Sequence, residues 1–220
     1  MTSRPARFIT FEGLDGSGKS SHLQRASAWL ASRGIRHRVT KEPGGTPLGD
    51  AVRQVFLDPR WGALDGTVEL LLVFASRRQH LLEVIEPALA AGEPVLCDRF
   101  TDSTRAYQGY GRGVPLERIE EADHLATGGR VPDRTLLFDL TPEEAQRRGT
   151  SPSRRERGEI DRLDVEGLTF YRRVREGFLA LAAAAPERFR IIDSSAPVEE
   201  TFRRVREALA DLFPEGEATP

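Results

Sequence analysis

The chain has 220 residues, enough for one domain with a substantial core, and its formal charge of −2 with a pI near 6.2 argues against non-specific nucleic-acid binding, which needs a basic face. No apolar run approaches membrane-spanning length and residues 1–5 carry no apolar signal core, so the expectation is a cytoplasmic protein with neither a membrane nor a nucleic-acid partner. The single cysteine, Cys97, excludes an internal disulfide and a thiolate zinc cluster.

The first predicted element is a short strand over residues 7–11, followed by Gly13-Leu14-Asp15-Gly16-Ser17-Gly18-Lys19-Ser20 and a helix over residues 21–33. The eight residues fit the pattern G-x-x-x-x-G-K-[ST] in its proper strand–loop–helix setting. Glycines let the backbone wrap closely round phosphate oxygens, and the helix N-terminus behind them favours anions. Lys19 would reach the β- and γ-phosphates of a nucleoside triphosphate, Ser20 would help hold Mg²⁺, and Asp15 is a further candidate for catalysis and for the metal. Gly13 to Ser20, with Ser21 opening the helix, form the candidate ATP-binding set. Lysine occurs only at positions 19 and 41, against 30 arginines. Its retention at 19 is therefore informative, because a compact ammonium fits inside a phosphate loop where a planar guanidinium does not.

A second, more exposed strand is predicted over residues 35–40, a turn cluster at Glu42-Pro43-Gly44-Gly45-Thr46-Pro47, and a helix over 48–57. Residues 67–91 form a long helical pattern with a nearly continuous apolar stretch, Leu70-Leu71-Leu72-Val73-Phe74; such a helix is either central and covered or lies at a subunit interface. A buried strand over 94–97 ends at Asp98, residues 116–127 are helical, and a strand runs over 135–140. Thr141-Pro142-Glu143-Glu144 has an N-cap, a proline at the first helical position and acids in the first turn. Residues 149–158 are polar and arginine-rich; a helix follows over 164–184, a strand over 189–192, and a last helix marked by Val198, Phe202, Val205, Leu209 and Leu212. Five strands separated by helices imply an α/β fold, a parallel sheet with helices on both faces, in one domain.

In such sheets ligands lie beyond the carboxyl ends of the strands. Three clusters besides the phosphate loop fall there: Asp98-Arg99-Phe100, Glu42 to Thr46 with Arg53 further on, and the Asp139 end of the fourth strand. Asp98 suits Mg²⁺ or its water, and Arg99 suits a phosphate.

Residues 96–110, Leu-Cys-Asp-Arg-Phe-Thr-Asp-Ser-Thr-Arg-Ala-Tyr-Gln-Gly-Tyr, resemble the signature of bacterial thymidylate (dTMP) kinases. So do Phe11 to Ser20, Glu42 to Pro47, Ser76-Arg77-Arg78-Gln79-His80-Leu81 and Gly158-Glu159-Ile160-Asp161-Arg162, in family order over nearly the whole chain. The resemblance implies a P-loop kinase fold with a mobile arginine-rich lid at about residues 149–160, and transfer of the ATP γ-phosphoryl group to the 5′-phosphate of dTMP. It assigns Arg99 and Arg53 to the acceptor phosphate, Glu42 to the sugar side, Arg77, Thr104 and Gln108 to the thymine edge, and Tyr107 to the deoxyribose. A phosphate acceptor is already largely dianionic at pH 7, so catalysis rests on alignment and charge stabilisation rather than on a histidine base. Gly16 stands where some eukaryotic members carry an arginine, which throws that charge onto the lid, to Arg157 first and then Arg154. Arg147, Arg148 and Ser194-Ser195 border the adenine in this reading.

One departure concerns the base. Members of the family place a thymine-stacking aromatic four residues before the arginine that corresponds to Arg77; here that position is Val73, with Phe74 beside it. Phe74 either reaches the base or packs into the core. The resemblance also implies a homodimer. Another P-loop kinase acting on a nucleoside or a different monophosphate is the alternative; a GTPase lacks its base-reading motif, since the chain has no asparagine.

Overall fold

The computed structural model describes residues 6–149, 162–163 and 166–214. The elements run β1 (Phe8–Gly13), α1 (Lys19–Ser32), β2 (Arg38–Lys41), α2 (Pro47–Leu57), α3 (Gly66–His80), β3 (Val95–Asp98), α4 (Thr101–Thr104), α5 (Leu116–Thr127), β4 (Arg134–Asp139), α6 (Pro142–Gly149), α7 (Leu168–Ala184), β5 (Phe189–Asp193) and α8 (Val198–Leu209). A π-helical turn, Leu81–Ile85, carries α3 on into Glu86–Ala90, and a second one, Arg105–Gly111, extends α4.

The five strands are all parallel, in the order β2-β3-β1-β4-β5. Strand β1 is central because it is buried on both faces, and its side chains alternate between them. Ile9 and Phe11 join Leu23, Ala26 and Leu30 of α1 and Val205 and Leu209 of α8 on one face. Phe8 meets Leu81, Ile85 and Phe100 on the other. A larger cluster on that second side gathers Tyr107, Phe170, Val174 and Phe178 over Leu137 and Phe189.

The chain leaves β1 toward β2 on one side, and leaves β3 toward β4 on the other. Neighbouring strands whose connections diverge open a crevice at their carboxyl ends. The phosphate loop after β1 and the Asp98-Arg99 turn after β3 therefore meet there, with Phe11 opposite Asp98 in the register.

Three local differences from the sequence reading have physical causes. The second strand starts only at Arg38, because Ile35 N bonds back to Leu30 O at 3.0 Å and Ile35 packs with α1. The last helix ends at Leu209 rather than reaching Leu212, because the chain turns there, with Leu212 N and Phe213 N both bonding back to Leu209 O at 3.0 and 3.1 Å. Residues 101–111, which showed no apolar period, are helical throughout. They are held by polar bonds, Thr101 Oγ1 to Asp123 at 2.9 Å and Arg188 to both oxygens of Asp102 at 2.6 and 2.8 Å. At Gly111 a Cβ would come within 2.6 Å of Phe170, so only glycine lets α7 lie this close.

Helix α3 is covered on one side only. Leu70, Val73, Phe74 and Arg77 are buried, whereas Leu71 is 64% exposed; Val68 on the same helix is exposed too, as are Val55 on α2 and Leu125 on α5, and α2 and α5 both pack on α3. Among the described residues, no helix is long and apolar enough to cross a membrane.

Candidate active site

The phosphate loop is a closed cradle. Ser17 N donates to Leu14 O at 3.1 Å, and Gly18, at φ 86°, turns the chain into α1. A Cβ on Gly13 would sit 2.5 Å from Phe138 O, so glycine is required for β1 to run tight against β4 at this point. Lys19 is buried within the loop, its Nζ 3.2 Å from Asp15 Oδ1 and 3.5 Å from Leu14 O. Ser20 Oγ donates to Asp98 Oδ2, while Asp98 Oδ1 is buried with no partner among the described residues. Ser194 Oγ donates to Ser17 O and braces the loop from the end of β5.

Arg99 connects this loop to the space beside it. It adopts φ 72°, a left-handed conformation that costs a non-glycine residue about 1–3 kcal/mol and is found where function demands it. The guanidinium thereby turns onto β1's end: Nη1 donates to Gly13 O at 3.0 Å and Ser103 Oγ at 2.9 Å, and Nη2 to Asp15 Oδ1 at 2.7 Å and Tyr107 Oη at 3.3 Å. Burial works against both charges of this pair. The cations Arg99 and Lys19 nevertheless hold the Asp15 carboxyl well below the usual range, and Asp15 raises Arg99 in return. Burial, followed by the nearby charge of Asp102, pushes Glu12 up to about 8; its carboxyl accepts from Phe100 N at 2.7 Å and bonds the Ser103 hydroxyl.

Beyond Arg99 lies an open cleft. Its polar wall is Asp15, Glu42, Arg53, Arg77, Arg99, Ser103, Thr104 and Gln108; its apolar wall is Phe56, Leu57, Val73, Phe100, Tyr107 and Leu163. Arg77 is fixed from every side. Its Nε donates to Glu42 Oε2 at 2.6 Å, its Nη2 to Thr104 Oγ1 at 3.0 Å, and its guanidinium lies between the rings of Phe74 and Phe100 at 4.8 and 4.9 Å. Nη1 is left buried and without a partner among the described residues. His80 Nδ1 lies 2.9 Å from Glu42 Oε1, so both Glu42 oxygens are engaged. Arg53 Nη1 donates to Pro43 O at 3.2 Å.

The structure thus brings together Glu42, Arg53, Arg77, Arg99, Thr104, Tyr107 and Gln108, which the sequence singled out, and gives Phe74, Asp15 and Asp139 surroundings of their own. Phe74 does not line the cleft; Val73 does. One step along a helix turns a side chain by about 100°, and Phe74 accordingly packs with Leu70, Ile119 and Ala126 beneath Arg77. Asp15, a candidate for catalysis and for the metal with Ser20 and Asp98, accepts hydrogen bonds from Lys19, Arg99 and Tyr107, the last at 3.2 Å, and lines the cleft. Asp139, at the end of β4, is closed by both arms of Arg175 at 2.7 and 2.8 Å. Arg154 and Arg157 lie outside the described residues.

Residues 11–205 match the family model for thymidylate kinase. The chain belongs to the thymidylate kinase family. It is 48% identical to the thymidylate kinase of Oleidesulfovibrio alaskensis over 208 residues, which covers 94% of this chain and 98% of the relative. It is 46% identical to that of Pseudomonas fluorescens strain Pf-5 over 94% of this chain and 95% of the relative. The crystal structure of thymidylate kinase from Ehrlichia chaffeensis superposes with a TM-score of 0.73 at 32% identity, covering 94% of this chain and 99% of that one. As a thymidylate kinase, the protein phosphorylates dTMP to dTDP with ATP.

Thymidylate kinase motifs pointed to the polar half of the cleft but not to Phe56, Leu57 or Leu163 as its walls. Phe56 ends the apolar period of α2 and was indistinguishable from core. Leu163 follows directly on the quoted Gly158 to Arg162 block, and its position beside that motif was the available signal.

Proposed function

We propose that the cleft beyond Arg99 holds dTMP and the phosphate loop holds ATP, so that the two phosphates meet at Arg99. The observation that carries this reading is the strained Arg99 itself, whose guanidinium borders the cleft while bonding to Gly13 O and Asp15 on the loop. A dianionic acceptor approaching a triphosphate is repelled; Arg99 and Arg53 neutralise it, and Lys19 neutralises the transferring group. The acceptor oxygen needs no general base, so the work of these side chains is alignment and charge stabilisation.

Arg77 reads the base. Its unpartnered Nη1 is a donor suited to a pyrimidine carbonyl, and Glu42 and Thr104 hold the guanidinium in place. Gln108 completes the base edge, Glu42 borders the sugar, and Tyr107, its ring under Arg99 at 5.0 Å, lines the deoxyribose. The apolar contact with thymine falls to Val73, Phe56 and Leu163 rather than to Phe74.

Ser20 Oγ and the unpartnered Asp98 Oδ1 form a hard oxygen pair of the kind that binds Mg²⁺ with the rest of its shell from phosphates and water. An ion held by Ser20 and Asp98 would supply positive charge to offset that of the phosphates. Arg157, then Arg154, are the arginines to supply the remaining charge, and Arg147, Arg148 and Ser194-Ser195 border the adenine. The whole chain acts as one kinase domain in the cytoplasm. The exposed apolar side chains Val68 and Leu71 on α3, with Val55 and Leu125 on the helices packed against it, support pairing of two copies into a homodimer.

Calorimetric titration of dTMP into the wild type and Arg77→Ala tests the base-reading assignment. A loss of affinity of at least about tenfold is expected from an unmade charged hydrogen bond. An unchanged dTMP affinity overturns it.

A further inference from the structure

Glu69 immediately precedes the apolar stretch of α3 and is fully buried. Its carboxylate is the hub of a polar network inside the domain. Arg162 Nη1 donates to Oε1 at 2.6 Å, and Arg112 lies against the same group, Nε at 3.2 and 3.3 Å from its two oxygens. The remaining bond comes from Gln108, whose Nε2 donates to Glu69 Oε2 at 2.8 Å. Arg112 also pairs with Glu166 at 2.6 Å, so two carboxylates and two guanidiniums balance here.

An amide side chain has a donor end and an acceptor end, and its environment decides which faces a ligand. The Glu69 carboxylate, the anion of two ion pairs, only accepts. It therefore fixes the Gln108 nitrogen toward itself. Gln108 lines the cleft, and its Oε1 carries no hydrogen bond among the described residues. Turning the amide over would set two oxygens against each other in a buried place, which the network forbids.

We propose that Glu69 is a positioning residue for base selection: by holding the Gln108 amide in one orientation it makes the site accept a pyrimidine with an N3–H donor and reject one whose N3 is a bare acceptor. Thymine and uracil have that N3–H. Cytosine presents a lone pair at N3, which meets Gln108 Oε1 acceptor to acceptor. The inference rests on the reading that Gln108 faces the base, and it adds why the face it offers is an acceptor. Glu69 touches no ligand; it acts through Gln108.

The test compares kcat/KM for dTMP, dUMP and dCMP, with Mg·ATP, in wild type, Glu69→Gln and Gln108→Met. Glutamine at 69 keeps the volume but can donate to Gln108 Oε1, so the amide is free to turn over. The expected result is a fall of at least tenfold in the preference for dTMP over dCMP, with dUMP following dTMP and the KM for ATP unchanged. Equal loss on all three pyrimidines, leaving the ratio intact, means that Glu69 is merely structural and overturns the proposal. Should Glu69→Gln fail to fold, the double variant Glu69→Gln/Arg162→Gln removes one charge of each sign and leaves Arg112 paired with Glu166; the same ratio then decides. Gln108→Met separates the two failures. If it changes the ratio while the Glu69 variants do not, the proposal falls and the base-edge reading stands. If Gln108→Met leaves the ratio untouched, the base-edge reading falls and the proposal with it.

Discussion

Arg99 Nη2 donates to Asp15 Oδ1 at 2.7 Å, and the same oxygen lies 3.2 Å from Lys19 Nζ. One carboxylate thus gathers the loop lysine and the cleft arginine at the seam between the proposed ATP and dTMP sites. The two cations it holds are the ones assigned to the transferring and accepting phosphates.

Replacing Arg99 by alanine should therefore act on the acceptor side. We expect kcat/KM for dTMP to fall about 10²-fold or more, roughly 3 kcal/mol of transition-state stabilisation, with ATP affinity nearly intact. Steady-state kinetics with each substrate varied in turn measures this. Unchanged dTMP kinetics would remove Arg99 from the site.

The exchange of roles at 73 and 74 makes opposite demands on the two positions. Val73→Phe puts an aromatic ring on the cleft wall and should lower the KM for dTMP a few-fold, about 0.5–1.5 kcal/mol for a ring contact. Phe74→Leu keeps apolar volume on the α5 side and should cost stability, seen as a lower Tm, with little change in dTMP KM. A large rise in KM with an unaltered Tm would restore Phe74 as a stacking residue.

The Ser20–Asp98 pair predicts a metal-specific defect. In Ser20→Ala the Mg²⁺ concentration giving half-maximal rate should rise several-fold, about 1 kcal/mol for one lost ligand bond, while KM for dTMP stays put. A magnesium titration at saturating substrates reads it, and coincident wild-type and variant curves would count against the pair.

Glu12 gives the fold a pH dependence of definite sign. Its ordinary value of 4.5 is raised by burial, and then by Asp102, to about 8 in the folded protein. The folded state therefore binds the proton more tightly than the unfolded chain. That stability is fully present below about pH 4.5 and is lost as pH rises through about 8. The loss is at most about 1.4 kcal/mol per pH unit in this window. Glu12→Gln imitates the protonated form and should flatten the fall of Tm between pH 5 and 8. Parallel profiles for wild type and variant would show that another group sets the slope.

The parts of the site that were legible in the sequence are those written locally. The loop from Gly13 to Ser20 carries its chemistry in eight consecutive residues, and the sheet follows from five β-rich runs with helices between. Asp98 and Arg99 were found because they follow a buried strand directly. Residues 101–111 were not read as helix because their burial comes from hydrogen bonds such as Thr101 to Asp123, not from an apolar stripe. Glu69 drew no reading from the sequence, because its partners Gln108, Arg112 and Arg162 lie 39, 43 and 93 positions away. Phe74 stayed open between base and core for a different reason. Composition at one position says nothing about which way a helix is rotated by its neighbours.

The strand order has a practical corollary. Every strand of the parallel sheet delivers its chemistry at one rim: Gly13, Lys41, Asp98, Asp139 and Asp193 are the last residues of β1 to β5. The segments that lead into β2, β3 and β4, residues 33–37, 91–94 and 128–133, turn at the opposite rim. Substitutions and grafted peptides there are remote from phosphate and base alike. That rim is where an affinity tag, a fluorophore or a tether can be attached without touching the reaction.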